Sequence, residues 1–410
     1  MLARRIFKIL LLIFCLPLFA YLWQVNIRLY YTPEFQETSG GRVNKTLLKQ
    51  LQFLKGKLHA GAGAQMQQVY PEGHLFIHTL YGLAWCNALK PQSPQSDLFQ
   101  EGLQEIDWAL TQVESDEAKA VFQKNLLLEY GAFYQGWTNY LLGQKLALQK
   151  PETRDSSELR QFISKCRQIA TAFRAGSTPY LSSYEYGIWP ADNVVCMAGL
   201  ALHDRLFKPE FSPLIQQWLG RVESGLGART GLIAHEADPN GAMVTGARGS
   251  SQSLILVFLP EIDTAFAKQQ FEGYLRHFLD YRFGLPGIRE YPKGFAGNGD
   301  IDSGPVVYDI GGAASIVGIA ATRRLGRPDL SVQIRNAVEG IACPWENAET
   351  KRYFFGQVPM ANVFLAWANS FTPAPDPPES HNWRWAFHGW SLLIGLGMVG
   401  FYQLLARLAR

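Results

Sequence analysis

The feature that most constrains this chain is a repeat of character rather than of letters. Six apolar runs begin at Pro71, Tyr130, Trp189, Gly249, Ser303 and Pro359, at intervals of 59, 59, 60, 54 and 56 residues. Each opens on glycine, proline or small polar residues, as in "PEGHLFIHTLYGLAWCNAL" and "WPADNVVCMAGLALHDRLF". A period of this size marks supersecondary units that bury their apolar faces only against one another. Before each run lies a more amphipathic segment, starting near Asn44, Ser96, Ser156, Ser212, Thr264 and Pro328. Most of these starts are residues that cap helices. In "SSELRQFISKCRQIATAF" the charges fall largely to one side of an apolar stripe with helical period.

Six such alternations predict an all-α domain. The apolar helices form an inner ring, and the amphipathic helices shield it from solvent. An open helical solenoid would carry the same period. In a closed ring the inner helices all run one way, so the loops before them gather at one mouth. That mouth collects Glu72, His74, Tyr134, Trp137, Trp189, Asp192, Asn193, Arg248, Ser250, Asp300, Asp302 and Asn362. Helix starts favour anionic groups because their free amides point outward.

The pattern resembles the six-hairpin (α/α)6 toroid superfamily, the scaffold of many glycoside hydrolases and polysaccharide lyases. It is also similar in outline to the linalool dehydratase/isomerase family. The resemblance covers nearly all of residues 28–371 and rests on helix pattern and spacing. For the glycosidases it implies a catalytic aspartate at the mouth, a role that falls on Asp192 by analogy. The dehydratase family combines Cys, Asp, Tyr and His around an apolar pocket, which draws in Cys196, one helical turn after Asp192.

Both ends are apolar. Ile9–Trp23 follows Arg4, Arg5 and Lys8 with no small-residue cleavage site after it, and Trp385–Leu405 precedes "ARLAR". The expected organisation is an N-terminal membrane anchor (1–27), the toroid (28–371), a Pro-rich tether (372–383) and a C-terminal transmembrane helix (384–410). Basic residues at the outer ends put both termini in the cytoplasm and the domain outside, in the periplasm of a bacterium. A net charge of +3 without a basic run leaves no electrostatic footprint for nucleic acid. The scattered cysteines form neither a zinc motif nor a disulfide framework.

Three stretches carry the candidate chemistry. "SSYEYGIWPADNVVC" concentrates Tyr184, Glu185, Tyr186, Trp189, Asp192 and Asn193, acids beside rings able to stack on a ligand. "REYPKGFAGNGDIDSGPV" adds Arg289, Glu290, Tyr291, Asp300 and Asp302, with Asp302 set against the expected helix start. Its alternating Asn298, Asp300 and Asp302 also suit calcium, but serine stands where an EF-hand turn needs glycine. "GLIAHEADPNGAMVTGARGSSQS" reads as a hairpin with "DPNG" at its turn, offering His235 and Glu236 for proton transfer and Arg248 as an anion clamp. It lacks the Lys-Ser/Thr of a phosphate loop and the frame of a nucleophile elbow.

The expectation is therefore a membrane-anchored extracytoplasmic enzyme, hydrolase or lyase, using carboxylate acid/base chemistry on a glycan or glycan-like substrate. Its catalytic candidates are Asp192, Asp302, Glu185, Glu290 and His235. Tyr184, Tyr186, Trp189, Asn193, Arg248, Tyr291 and Asp300 are the candidates for substrate contact, and no cofactor or metal is indicated. The alternatives are a dehydratase or isomerase of a small apolar alcohol and a non-catalytic glycan-binding or envelope scaffold.

Overall fold

The computed structural model describes residues 2–301, 303–372, 376 and 382–408, without the side chains of 2–12, 14 and 405–408. Helices dominate, and the protein is all-α. In order they are α1 (Leu2–Arg28), α2 (Lys45–His59), α3 (Ala62–Val69), α4 (Gly73–Leu89), α5 (Asp97–Val113) and α6 (Asp116–Lys119). Then come α7 (Gly131–Leu148), α8 (Ser156–Ala175), α9 (Pro190–Leu206), α10 (Ser212–Ser224) and α11 (Gly249–Ile262). The last are α12 (Thr264–Phe278), α13 (Gly312–Arg324), α14 (Pro328–Ile341), α15 (Pro359–Asn369) and α16 (Trp383–Leu408). The strands among the described residues are short antiparallel pairs in the connections.

The apolar runs are α4, α7, α9, α11, α13 and α15. Each packs on the next, and α15 packs back on α4. The amphipathic helices α2, α5, α8, α10, α12 and α14 lie against them. Asn44 and Ser96 cap their helices as read in the sequence, while at α8 and α12 the caps are Asp155 and Asp263, one residue before the expected starts. All four side chains accept orphan amides of the first turn. α7 is buried continuously from Gly131 to Lys145 and beyond, which is why its sequence shows no polar face. At Gly136 a Cβ would stand 2.9 Å from the Cys196 sulfur, so glycine lets α7 and α9 approach closely.

Aromatic rings meet where the six helices converge. Trp137 contacts Phe76 (4.9 Å between centroids), Phe258 (5.2 Å) and Trp367 (6.3 Å), and Phe76 meets Phe364 at 5.2 Å. These rings, from α4, α7, α11 and α15, form the floor of a cavity that Phe76 and Phe364 also line.

The structure departs from expectation at two places. α13 begins at Gly312, not Ser303, because Val306–Val307 pairs with Ile310–Gly311 in a hairpin turned by Tyr308 and Asp309 at φ of 50° and 69°. The expected transmembrane helices at 1–27 and 384–410 are not supported: among the described residues no helix is long and apolar enough to cross a membrane. In α16 the described stretch is diluted by His388, Gln403 and repeated glycines, and the most apolar part of α1 carries side chains outside the described set. The two helices pair instead through Asn26 Nδ2 donating to Ser391 Oγ (3.0 Å) and a Tyr30–His388 hydrogen bond (2.8 Å). Arg384 is buried and donates to Leu29 O at 2.7 Å, tying the pair to the end of α1. Of the tether, residues 373–375 and 377–381 lie outside the described residues, while Asp376 is held by Arg323 (2.9 Å) and Arg335 (2.8 Å).

Candidate functional site

The starts of all six apolar helices, with the loops before them, wall one cavity of about 150 Å3. α4 contributes Phe76 and the preceding Glu72, α7 Phe133, α9 Ala191 and Asp192, and α11 Ser250, Ser251 and Leu254. Ala313 and Val317 come from α13, and Met360 and Phe364 from α15. Tyr70, Tyr184, Trp189, His235 and Ile301 complete the wall from the loops. The lining is mainly apolar and aromatic, with two carboxylates and one imidazole set into it.

Asp192, third residue of α9, is 4% exposed and receives a long hydrogen bond from Trp137 Nε1 (3.4 Å) in the aromatic floor. Glu72, just before α4 and also in the cavity wall, accepts from Tyr184 Oη at 3.1 Å, and the Tyr184 ring lies 4.9 Å from that of Trp189. His235 comes from the strand-like segment before α11, next to the hairpin Glu236–Ala237/Met243–Thr245 whose turn Asp238 closes as the "DPNG" pattern requires. Its Nδ1 is buried without a hydrogen-bond partner. Burial, then the positive charge of Arg248, brings its pKa down to about 4, so the ring is neutral near pH 7.

Beneath Ser250 lies an ion cluster. Glu290 is fully buried and accepts from Arg248 Nε (2.8 Å) and Ser250 Oγ (2.7 Å). Burial raises its pKa against the opposing pull of Ser250 and Arg248. Arg248 Nη1 reaches Asp300 at 2.5 Å, and its guanidinium lies over the Tyr291 ring at 5.2 Å. Burial alone would push Asp300 up, but Arg248 and Ser303 outweigh it and hold the pKa at about 2. Tyr291 donates to Asn298 O at 3.0 Å, bracing the same loop.

Of the sequence-derived candidates, Asp192, His235, Tyr184 and Trp189 meet in the cavity wall. Glu290, Arg248, Asp300 and Tyr291 form the cluster beside it. Glu185 and Tyr186 are solvent-exposed on the far side of the Ser183–Gly187 turn and take no part in the lining. Asp302 lies outside the described residues. Cys196 is fully buried, outside the lining; it donates to Ala132 O at 3.4 Å, and burial, then the nearby Asp192, raises its thiol well above 9. Among the described residues no group of three or more His, Cys, Asp or Glu is placed to hold a metal ion.

Asn193 turns away from the cavity. Its Oδ1 accepts from Leu181 N (2.7 Å), and its Nδ2 donates to Leu181 O (3.1 Å) and Trp189 O (3.0 Å). Asn362 binds Tyr353 and Val358 in the same pattern. Gln252 donates to Ile233 O, and Ser315 exchanges hydrogen bonds with the Ile288 backbone. Each is the fourth residue of its helix. These staples pin each entering loop to its helix, and the shared "PADN" and "PMAN" starts were the sequence signal for two of them. Glu72 was legible as a mouth residue, yet nothing around it in sequence marked it above other surface glutamates.

Compared with protein-family models and with curated proteins, the chain matches none.

Proposed function

We propose that this chain is an enzyme built as an (α/α)6 toroid, which eliminates water from, or isomerises, a small hydroxyl-bearing substrate with a largely apolar body. The carrying observation is the confinement of Asp192, Glu72 and a neutral His235 in the wall of an otherwise apolar cavity of about 150 Å3. A cavity of that size holds about six carbons, whereas a polysaccharide needs a groove several rings long. The chemistry follows from the residues. One carboxyl group gives its proton to the hydroxyl, the C–O bond breaks, and water leaves. His235 accepts a proton from the neighbouring carbon as the double bond forms. The rings of Phe76, Phe133, Tyr184 and Trp189 line the cavity, and aromatic rings stabilise positive charge developing at carbon. Cys196 has no part in this scheme, because its thiol is buried away from the lining.

A second reading keeps the glycan expectation for a single terminal sugar, and the Tyr184–Trp189 ring pair favours it as a stacking platform. We also propose that the domain works at the outer face of a membrane. Support comes from the exposed apolar side chains of α1 and α16, among them Leu16, Phe19, Trp23, Leu392, Leu396 and Phe401.

The test is turnover by the purified protein on C5–C8 alcohols and on monosaccharide glycosides, followed by NMR. Alkene signals support the first reading and released sugar the second. Asp192→Asn and Glu72→Gln each lower turnover by about 10^2–10^4. Full turnover in both variants sinks the assignment, and ligand binding without turnover marks a binding protein.

A further inference from the structure

Arg248 is nine-tenths buried at the start of α11 and has two carboxylate partners of different standing. Glu290 is permanent: its side chain is wholly buried beneath the guanidinium. Asp300 arrives from outside, on a side chain 46% exposed, carried by a loop with glycines on both sides of it. The guanidinium is still not saturated, since Nη2 is buried without a hydrogen-bond partner. Ser250, two residues on, and His235 both line the cavity, and the next residue after Asp300, Ile301, is part of the cavity wall. The carboxylate on Arg248 and the closure of the wall are thus one structural unit.

We infer that Asp300 stands where the substrate's own carboxylate sits, so that the site takes a small hydroxy acid whose carboxylate displaces Asp300 from Arg248. The inference rests on the proposed function and names its substrate class. Exchange of one carboxylate for another leaves the charge around Arg248 and Glu290 unchanged, so it carries no electrostatic penalty of its own. The incoming group also gains the donor at Nη2, in the fork geometry that suits a carboxylate. The low pKa of Asp300 shows that this position stabilises an anion. Because Ile301 moves with Asp300, binding of the acid group and opening of the wall are coupled. A neutral alcohol does not compete for Arg248, so it binds with that contact in place and without this coupling.

The inference is tested with 3-hydroxy acids of four to eight carbons and the matching 1,3-diols, titrated calorimetrically into the full chain. Asp300→Asn removes the competing charge while its side-chain oxygen still accepts from Ser303 N, a bond of 2.9 Å in the native loop. Relief of an internal competitor raises apparent affinity by the reciprocal of the fraction of time it left the site free. The hydroxy acids are therefore expected to bind Asp300→Asn about tenfold more tightly than the wild type, with the diols unchanged. Arg248→Lys, which keeps the charge but loses the fork, weakens the acids alone. The inference is overturned if acids and diols respond alike, or if the acids gain nothing in Asp300→Asn. Diols that bind and are dehydrated with no preference for acids defeat this inference and leave the proposed function standing. Absence of binding and turnover with both sets defeats the proposed function itself.

Discussion

Replacing Asn193 by alanine separates a frame residue from a substrate contact. The amide is fully buried and closes three hydrogen bonds, two of them with Leu181. Trp189 O keeps a second donor in Asp192 N (3.1 Å), so it loses little. Leu181 N and O are different: the amide is their hydrogen-bonding partner, and alanine leaves both buried groups unpaired. Each orphaned group costs about 1–3 kcal/mol, which puts the loss at about 2–6 kcal/mol. For a domain of this size that is a fall in Tm of about 3–8 °C. The assay is a urea titration followed by tryptophan fluorescence, with the slope m unchanged and the midpoint lowered. Asn362→Ala gives a smaller loss, about 1–3 kcal/mol: it orphans Tyr353 N, while Tyr353 O keeps Gly356 N (2.8 Å) and Val358 O keeps Asn362 N (3.2 Å). Asn193→Asp is no milder, because a carboxylate then faces two carbonyl oxygens. A loss below about 1 kcal/mol in both alanine variants refutes the reasoning. So does an Asn193→Ala protein of native stability that has lost turnover, since that result makes Asn193 a substrate contact.

Two further outcomes follow from the titratable groups. The pKa of His235 is lowered in the fold to about 4, while the unfolded chain has the ordinary value near 6.5. Between those values the unfolded chain binds more protons, so stability falls as pH drops from about 6.5 to 4, and kcat/KM falls as pH passes down through about 4; a pH series on wild type and His235→Gln measures both, and an unchanged acid limb in the variant removes His235 from the reaction. Iodoacetamide is expected to label Cys343, which is half-exposed, and to leave Cys196 untouched with turnover intact; mass-spectrometric mapping that finds Cys196 modified, with parallel loss of activity, restores a thiol role.

What the sequence disclosed, and what it hid, both have physical causes. The helix pairs were legible because burial on all sides and burial on one side leave different periodicities, and because Asn44 and Ser96 cap as their chemistry dictates. Asp192 was legible because a carboxylate three residues into an apolar helix has few reasons to be buried. The start of α13 was not, since the "SGPVVYDIGG" stretch holds two residues at positive φ that neither composition nor spacing announces. Glu185 misled because it shares the aromatic stretch with Tyr184 but sits on the outer side of a tight turn. Arg248, Glu290 and Asp300 were visible as charges, yet their pairing joins residues 42 and 52 positions apart, which no local pattern encodes.

Position along the helix, more than residue type, divides frame from chemistry at this mouth. In α11, α13 and α15 the second and sixth residues line the cavity: Ser250 and Leu254, Ala313 and Val317, Met360 and Phe364. At 3.6 residues per turn these two positions point within about 40° of each other, while the fourth lies about 160° away. The fourth residue therefore faces the incoming loop, where Gln252, Ser315 and Asn362 make their staples. α9 obeys the same rule with Ala191 inward and Asn193 outward. A carboxamide at the fourth position is thereby committed to the backbone, whatever it resembles in sequence. An acid at the third position, as Asp192, stands at the edge of the inward face with its backbone already satisfied by the helix. Its carboxyl group reaches the cavity wall while receiving a hydrogen bond from Trp137 Nε1, and the same logic selects Ser251 over Gln252 in α11.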